Sequence, residues 1–390
     1  MKFLHISDTH LGYRQYGLLE REQDFLDVFN EAIDIAIDEN VDFIIHTGDF
    51  FHTSRPSNKT IIDSLNILNR LNDADIPIFC IPGNHDRGNS VKDKSPLEIL
   101  NNFGLKLINV GVEEFNGVDI AGLKYIPKTA VRKLGRLRDA LESLLENTKS
   151  SYKILMLHQE FYPYFPDSNL LLNEEIPKDF NYVGIGHYHI AEEPIRRGKN
   201  SFIVHIGSTE FTAYNKNEEE RKKFVAIVEI SNSDTKIIYR ELSKKRKFIY
   251  ATLNDENLEE KLNDILINIE EILDKNEKKP IVVLKGDFRK LGQSDVLKLL
   301  DERNLVKDNP NILYVKHSFN FFKEDLFINN TAVKSEDEII RDALAEYLKE
   351  DKDLYSKVYE LITTFKTFED FDLVKSYIKE NPEIFEDLLK

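Results

Sequence analysis

Five short polar groups, each following an apolar run, constrain this chain more than any other feature: Asp8-Thr9-His10, Gly48-Asp49, Gly83-Asn84-His85-Asp86, His158-Gln159 and Gly186-His187-Tyr188-His189. The runs before them are Lys2 to Ser7, Asp42 to His46, Pro77 to Ile81, Lys153 to Leu157 and Tyr182 to Ile185, and a further one spans Ile203 to Ile206. Short, nearly continuous apolar runs of this kind predict strands covered on both faces, as in an α/β fold. Amphipathic stretches predict helices over 18–39, 58–72 and 128–147. Loops that follow such strands collect at one edge of the sheet, so groups far apart in sequence meet there.

Brought together, these groups supply Asp8, His10, Asp49, Asn84, His158, His187 and His189, an oxygen and imidazole set suited to divalent first-row metals. Seven donors are too many for one tetrahedral ion, yet they suffice for two if one carboxylate is shared. The Asp49 carboxylate has the two oxygens that a bridge needs. Ion pairs about 3.5–4 Å apart cleave phosphodiesters by activating a water and neutralising phosphate charge. A lone Asp-x-His or Gly-Asp is common and proves nothing; five groups in this order are not an accident of composition. Imidazole and carboxylate do not by themselves distinguish manganese from iron or zinc.

Composition narrows the function. The 390 residues carry a formal charge of −16, which argues against a protein that coats nucleic acid through diffuse positive charge. It leaves nucleic acid open as a substrate, since local arginines or bound cations invert a global sign. A single cysteine, Cys80, excludes an intrachain disulfide framework and a cysteine-based zinc cluster, and its apolar surroundings mark it as core. The N-terminus has no secretory pattern and no run approaches the ~20 apolar residues of a membrane span. The expectation is a cytoplasmic, nucleoid-associated protein with no membrane partner.

The basic run Ser243-Lys244-Lys245-Arg246-Lys247 interrupts the first pattern. It reads either as a solvated connector or as an edge facing nucleic acid. Beyond it a smaller α/β unit is predicted: strand Phe248–Leu253, helix 257–274, strand Ile281–Leu284, helix 293–302 and strand Ile312–Val315. From about 335 the periodicity is helical, and residues 331–390 hold 9 basic and 16 acidic side chains. The expected divisions are therefore 1–245, 246–330 and 331–390.

The order of the five groups resembles the calcineurin-like metallophosphoesterase superfamily, over residues 1 to about 210. The resemblance implies a β-sandwich flanked by helices, with Asp8, His10, Asp49 and His189 around one ion and Asp49, Asn84, His158 and His187 around the second. It also implies that His85 is a catalytic histidine at the scissile phosphate, with Asp86 expected to orient its imidazole. Where purple acid phosphatases have a metal-binding tyrosine, three residues after the bridging aspartate, this chain has His52. The stretches His10-Leu11-Gly12-Tyr13-Arg14-Gln15-Tyr16 and His52-Thr53-Ser54-Arg55-Pro56-Ser57 instead resemble the double-strand-break repair nucleases of the meiotic-recombination-eleven and SbcD family, in its compact archaeal form.

That resemblance implies a second catalytic histidine, His52, two manganese ions per subunit, 3′ to 5′ exonuclease action on duplex ends and endonuclease action on single strands. It further implies a DNA-capping domain over 246–330 and a homodimer formed through the helices near 58–72 and Leu97–Phe103. A helical segment within 331–390 would dock on a coiled-coil ATP-binding-cassette-type ATPase, although such a segment could also fold back on the cap. Tyr13, Arg14, Arg55 and Arg87 lie in or beside the motif loops, where they could hold a DNA backbone or simply be surface charges paired with nearby acids. Two departures stand out: Tyr188 where an aliphatic residue is usual, and Glu160 where relatives usually carry glycine. The rival readings are a phosphatase or cyclic-nucleotide phosphodiesterase on the same scaffold, and a scaffold protein that only bridges DNA ends.

Overall fold

A computed structural model describes residues 1–322 apart from 89–93, 128–129, 131–136, 199, 215–220, 232–233, 276 and 306–308, together with Leu344, 357–359 and 361–362. Residues Met1–Phe322 form one unit and Lys323–Lys390 a second. The expected helical partner segment over 331–390 thus lies almost wholly outside the described residues.

The first strand, β1 (Lys2–Ile6), shows how this sequence makes layers. Leu4 and Ile6 point to one side, into a core shared with Val28, Phe29, Leu68 and Leu71 of two helices. Phe3 points to the other side, into a core shared with Ile154, Met156 and Tyr182 of a second sheet. A strand whose alternate residues are all covered has to sit between two layers. The helices are α1 (Leu19–Asp38) and α2 (Asn58–Asp73), the latter capped by Ser57, whose hydroxyl accepts from the Thr60 amide at 3.1 Å.

The first sheet contains β1, β2 (Phe43–His46), β3 (Ile78–Cys80) and β4 (Leu105–Leu107), joined by β11 (Phe224–Ile230) and β12 (Thr235–Glu241), in the order β12-β11-β1-β2-β3-β4. Its members β1 to β4 run parallel, with α3 (Leu97–Asn101) preceding β4. The second sheet contains β5 (Val110–Phe115), β6 (Val118–Leu123), β7 (Tyr152–His158), β8 (Tyr182–Gly186), β9 (Ile195–Arg196) and β10 (Phe202–His205), ordered β5-β6-β7-β8-β10-β9. Its outer face is covered by α4 (Leu137–Glu146), through Leu137, Leu141 and Leu144. Four layers result: helices, sheet, sheet, helix. This is the expected α/β sandwich flanked by helices.

The third sheet, β13 (Phe248–Asn254), β14 (Ile281–Phe288) and β15 (Tyr314–Phe321), is wholly parallel. It has its own core, filled by Leu262, Ile265 and Ile269 of α6 (Leu258–Asp274) and by Val296 and Leu300 of α7 (Gln293–Glu302), where α5 is the short helix Leu172–Glu175. The basic run before β13 is a joint rather than a free edge. Arg246 is buried, grips both Asp24 oxygens at 2.5 and 2.8 Å, and donates to the Lys279 carbonyl at 2.6 Å. The Lys244 amide and the Ser243 amide bind Glu31 of α1.

Several elements differ from expectation. β14 continues to Phe288, and β15 spans Tyr314–Phe321 rather than 312–315. Both continue through alternating polar residues such as Lys285, Asp287, Lys316 and Asn320, which have one face outside the core, so an apolar run underestimates them. The hairpin β5–β6 was not expected at all. Its exposed first strand hides it, although the Asn116-Gly117 turn, with φ of 49° and 83°, is a type I′ signature. Of the expected helix 128–147, the structure describes Ala130 and a helix over Leu137–Glu146. No helix among the described residues is long and apolar enough to cross a membrane.

Candidate dinuclear metal site

The C-terminal ends of β1, β2, β3, β7 and β8 bring the five polar groups to one edge of the two sheets. The backbone there is bent hard: Asp8, His10, Asp49 and His187 have φ of 50°, 44°, 53° and 81°. Non-glycine residues in the left-handed region cost of the order of 1–3 kcal/mol each and persist only where their surroundings hold them. Here the holding contacts are visible. The Asp8 amide donates to the Gly48 carbonyl and the His10 amide to the Asp49 carbonyl, both at 3.0 Å. The His187 amide donates to both Asp8 oxygens, at 3.2 and 3.1 Å. Gly83 must be glycine, because a Cβ there would collide with the Asp49 carboxylate.

Two clusters of donors face inward. Asp8, His10, Asp49 and His189 present ligand atoms that all lie within 4.8 Å of one another, as do Asp49, His158 and His187. Asp49 belongs to both clusters: its Oδ2 lies 3.8 Å from His10 Nε2 and 3.4 Å from His158 Nε2. Asn84 completes the second, with its Oδ1 at 3.0 Å from His158 Nε2. His10 and His189 bring their Nε2 atoms to 3.2 Å, and His187 Nδ1 meets His158 Nε2 at the same distance. Ligands about 2.1 Å from one ion lie roughly 3.0–3.4 Å from each other, so the spacing of these donors fits a pair of ions. The site is a dinuclear divalent-metal centre.

The outer nitrogens are held as metal-binding histidines require. His158 Nδ1 donates to the Thr47 carbonyl at 2.8 Å, and His189 Nδ1 meets the Thr212 hydroxyl at 2.6 Å. Asp8, His10, Asp49 and His158 are each 1% exposed or less. Burial alone would raise the two carboxyl pKa values. The imidazoles around them, His189 and His158 at Asp8 and His158 and His10 at Asp49, outweigh it and hold both well below the ordinary carboxylate range. Burial likewise opposes charge on His158, but Asp49 and Asp8 override it and hold that imidazole up at about 9. His187, with desolvation dominant and His158 adding to it, is held down at about 4.

His85 and His52 stand beside the first cluster. His85 Nδ1 donates to the His52 carbonyl at 2.7 Å, and His85 shares a third donor cluster with His10 and His52. The two rings stack with centroids 5.0 Å apart, and Tyr13 stacks on His52 at 3.6 Å. Burial, then His85, holds the His52 pKa down at about 4. Asp86 corrects the expectation for it. Its carboxylate does not orient His85; it accepts from the amides of Phe50, Phe51 and Gly83 at 3.0, 2.8 and 3.0 Å. It therefore ties the loop after β2 to the loop after β3.

The four candidate DNA contacts fare unequally. Arg14 is paired with Glu22, Nε to Oε2 at 2.5 Å, and Tyr13 has its ring against His52. Arg55 is exposed with no ion-pair partner among the described residues, and Arg87 is exposed with its guanidinium 5.9 Å from the Tyr125 ring. Sequence reasoning missed Thr47, Thr212, Tyr125 and Phe165, all of which touch histidines of the two clusters. Common residue types outside any motif give no signal of this. Of the two departures, Tyr188 packs on Tyr164 and His205, while the Glu160 carboxylate reaches His187.

The sequence pattern of the calcineurin-like phosphoesterases matches residues 1–191. A protein of Sulfolobus acidocaldarius, named DNA double-strand break repair protein Mre11, is 31% identical over 358 residues, 90% of this chain and 90% of its own. The protein of the same name from Thermoplasma acidophilum is 36% identical over 304 residues, 73% of this chain and 77% of its own. That of Saccharolobus solfataricus is 31% identical over 412 residues, 100% of this chain and 98% of its own. On these likenesses, and with its two-ion donor set on a calcineurin-like sandwich, the chain belongs to the Mre11 family of DNA double-strand break repair proteins.

Proposed function

We propose that this chain is the nuclease subunit of a DNA double-strand-break repair complex, a metal-dependent phosphodiesterase that acts on DNA. The observation that carries this reading is the shared position of Asp49, one buried carboxylate oxygen within 4 Å of donors from both clusters. Two divalent ions, manganese in this reading, supply a water of lowered pKa and neutralise charge on the phosphate oxygens when bound. Asp8, His10, Asp49 and His189 would hold one ion; Asp49, Asn84, His158 and His187 would hold the other. Fixed by the Nδ1 bond to the His52 carbonyl, His85 in its imidazolium form would donate from Nε2 to the phosphate or to the departing 3′ oxygen. His52, braced between Tyr13 and His85, would serve beside it. Arg55 and Arg87 remain candidates to hold the DNA backbone.

The proposed products are those of a 3′ to 5′ exonuclease on duplex ends and of an endonuclease on single strands. Residues 1–245 would form the nuclease domain, 246–330 a DNA-capping domain and 331–390 the ATPase-binding segment. A homodimer through α2 and α3 is favoured by Ile62, Ile99 and Phe103, exposed at 56%, 42% and 51%. A phosphatase or cyclic-nucleotide phosphodiesterase on this scaffold is the alternative. End-labelled duplex and single-stranded DNA, incubated with Mn²⁺, Mg²⁺ or chelator, separates the two. Wild type should cleave both under Mn²⁺, His85→Gln should lose about 10²–10⁴-fold in rate, and removal of 335–390 should spare cleavage while abolishing co-purification with the ATPase. Rapid turnover of a small phosphomonoester with no cleavage of DNA would overturn the reading.

A further inference from the structure

His187 is held from every side. Its amide is fixed by Asp8, its φ of 81° allows little freedom, and its Nδ1 faces His158 Nε2 in the second cluster. Phe165 stacks on the ring with centroids 5.1 Å apart and planes at 24°, and Tyr125 lies at 5.6 Å and 34°. The remaining edge, Nε2, lies 3.5 Å from Glu160 Oε1, with the two side chains 17% and 14% exposed. Glu160 is itself anchored close to the site: it directly follows His158-Gln159, and its carbonyl accepts from the Ser168 hydroxyl at 2.8 Å. The contrast with the other ligands is chemical. The outer nitrogens of His158 and His189 meet neutral oxygens, those of Thr47 and Thr212, whereas that of His187 meets a carboxylate.

We propose that Glu160 is a positioning residue for the second metal ion: it accepts the Nε2–H of His187, fixes the tautomer that leaves Nδ1 free as the ligand, and makes that imidazole a more basic donor. The inference rests on the dinuclear reading of the site, and it gives the second position, which otherwise has Asp49 alone, a second carboxylate to set against the Asp8 and Asp49 pair of the first. A carboxylate behind a ligand imidazole acts without touching ion or substrate.

Titration calorimetry of the metal-free full-length chain with Mn²⁺ tests it, with cleavage of DNA not needed as a readout. Wild type should bind two ions. Glu160→Ala should weaken one of the two events about 10–100-fold and leave the other within twofold. Glu160→Gln, which keeps an acceptor but removes the charge, should fall between them, and it retains the packing if the alanine variant folds poorly. Tyr188→Phe, in the neighbouring loop, should leave both events unchanged. Two unchanged events in both Glu160 variants would overturn the role of Glu160 and leave the dinuclear reading intact. Wild type that binds fewer than two ions would instead overturn the dinuclear reading, and the proposal with it.

Discussion

Asp86 sits beside the metal ligands without being one, and it shows how much of such a site is scaffolding. Its two oxygens accept three backbone amides from two loops, those that carry Asp49 and Asn84. An asparagine there would turn an NH₂ toward donors and leave at least one buried amide unsatisfied, a loss of about 1–3 kcal/mol for each such group. Asp86→Asn should therefore lower the denaturation midpoint of the metal-free protein and weaken uptake of both ions, because Asp49 serves both. Denaturation and calorimetry on the same preparation check this, and an unchanged midpoint would contradict it. At this scale the sequence was legible where chemistry restricts residue type. Only a few side chains can ligate a metal, so Asp8, His10, Asp49, Asn84, His158, His187 and His189 stand out as candidates, and the fold gathers them at one edge. The roles of Tyr13 on His52 and of Thr212 on His189 were not legible, because threonine and tyrosine serve many purposes and only the tertiary fold brings these pairs together. Asp86 was misread for a related reason: adjacency in sequence says nothing about direction, and after a sharp turn the carboxylate points back into the loops.

At the scale of elements, α2 separates two jobs along one helix. Ile67, Leu68 and Leu71 are buried against the first sheet, whereas Ile62 is exposed, as are Ile99 of α3 and Phe103 just beyond it. An apolar residue left outside the core on each of two nearby helices suits a second copy of the chain. Ile62→Glu combined with Phe103→Glu should convert a dimer to a monomer in light scattering at micromolar concentration, with little change in the fold because neither residue is buried. A wild-type protein that is already monomeric would exclude this interface. The periodicity of α2 predicts the helix, with an end that differs by one residue, but it could not divide the apolar face between core and surface. Burial made strands legible only in part, since the buried β6 and β11 do not appear among the predicted runs. β1, β2, β7 and β8, covered on both faces, match their apolar runs closely, whereas β14 and β15 were read too short and β5 was missed, since each carries polar residues on an open side.

Across the whole molecule, burial of histidine couples the fold to pH. His5, His46 and His205 are buried, and burial holds each imidazole down at about 3. In the unfolded chain each would titrate near 6.5. Between about pH 6.5 and 3 the unfolded state binds protons that the folded state refuses. Stability contributed by these groups is therefore fully present above pH 6.5 and declines as pH falls, by up to about 1.4 kcal/mol per pH unit for each. His205 is the cleanest probe, since neither ring nitrogen has a hydrogen-bond partner among the described residues and its ring packs on Tyr164 at 4.3 Å. His205→Phe should preserve that packing and flatten the dependence of stability on pH between 6.5 and 4, measured by denaturant titration in chelator; an unchanged slope would show that His205 does not carry it. The central claim, however, concerns the edge where the two sheets meet, and diffraction at the manganese absorption edge from crystals grown with Mn²⁺ tests it most directly. Two anomalous peaks about 3.5–4 Å apart, with the Asp49 carboxylate between them, are expected. A single peak, or a pair that Asp49 does not bridge, would contradict the account.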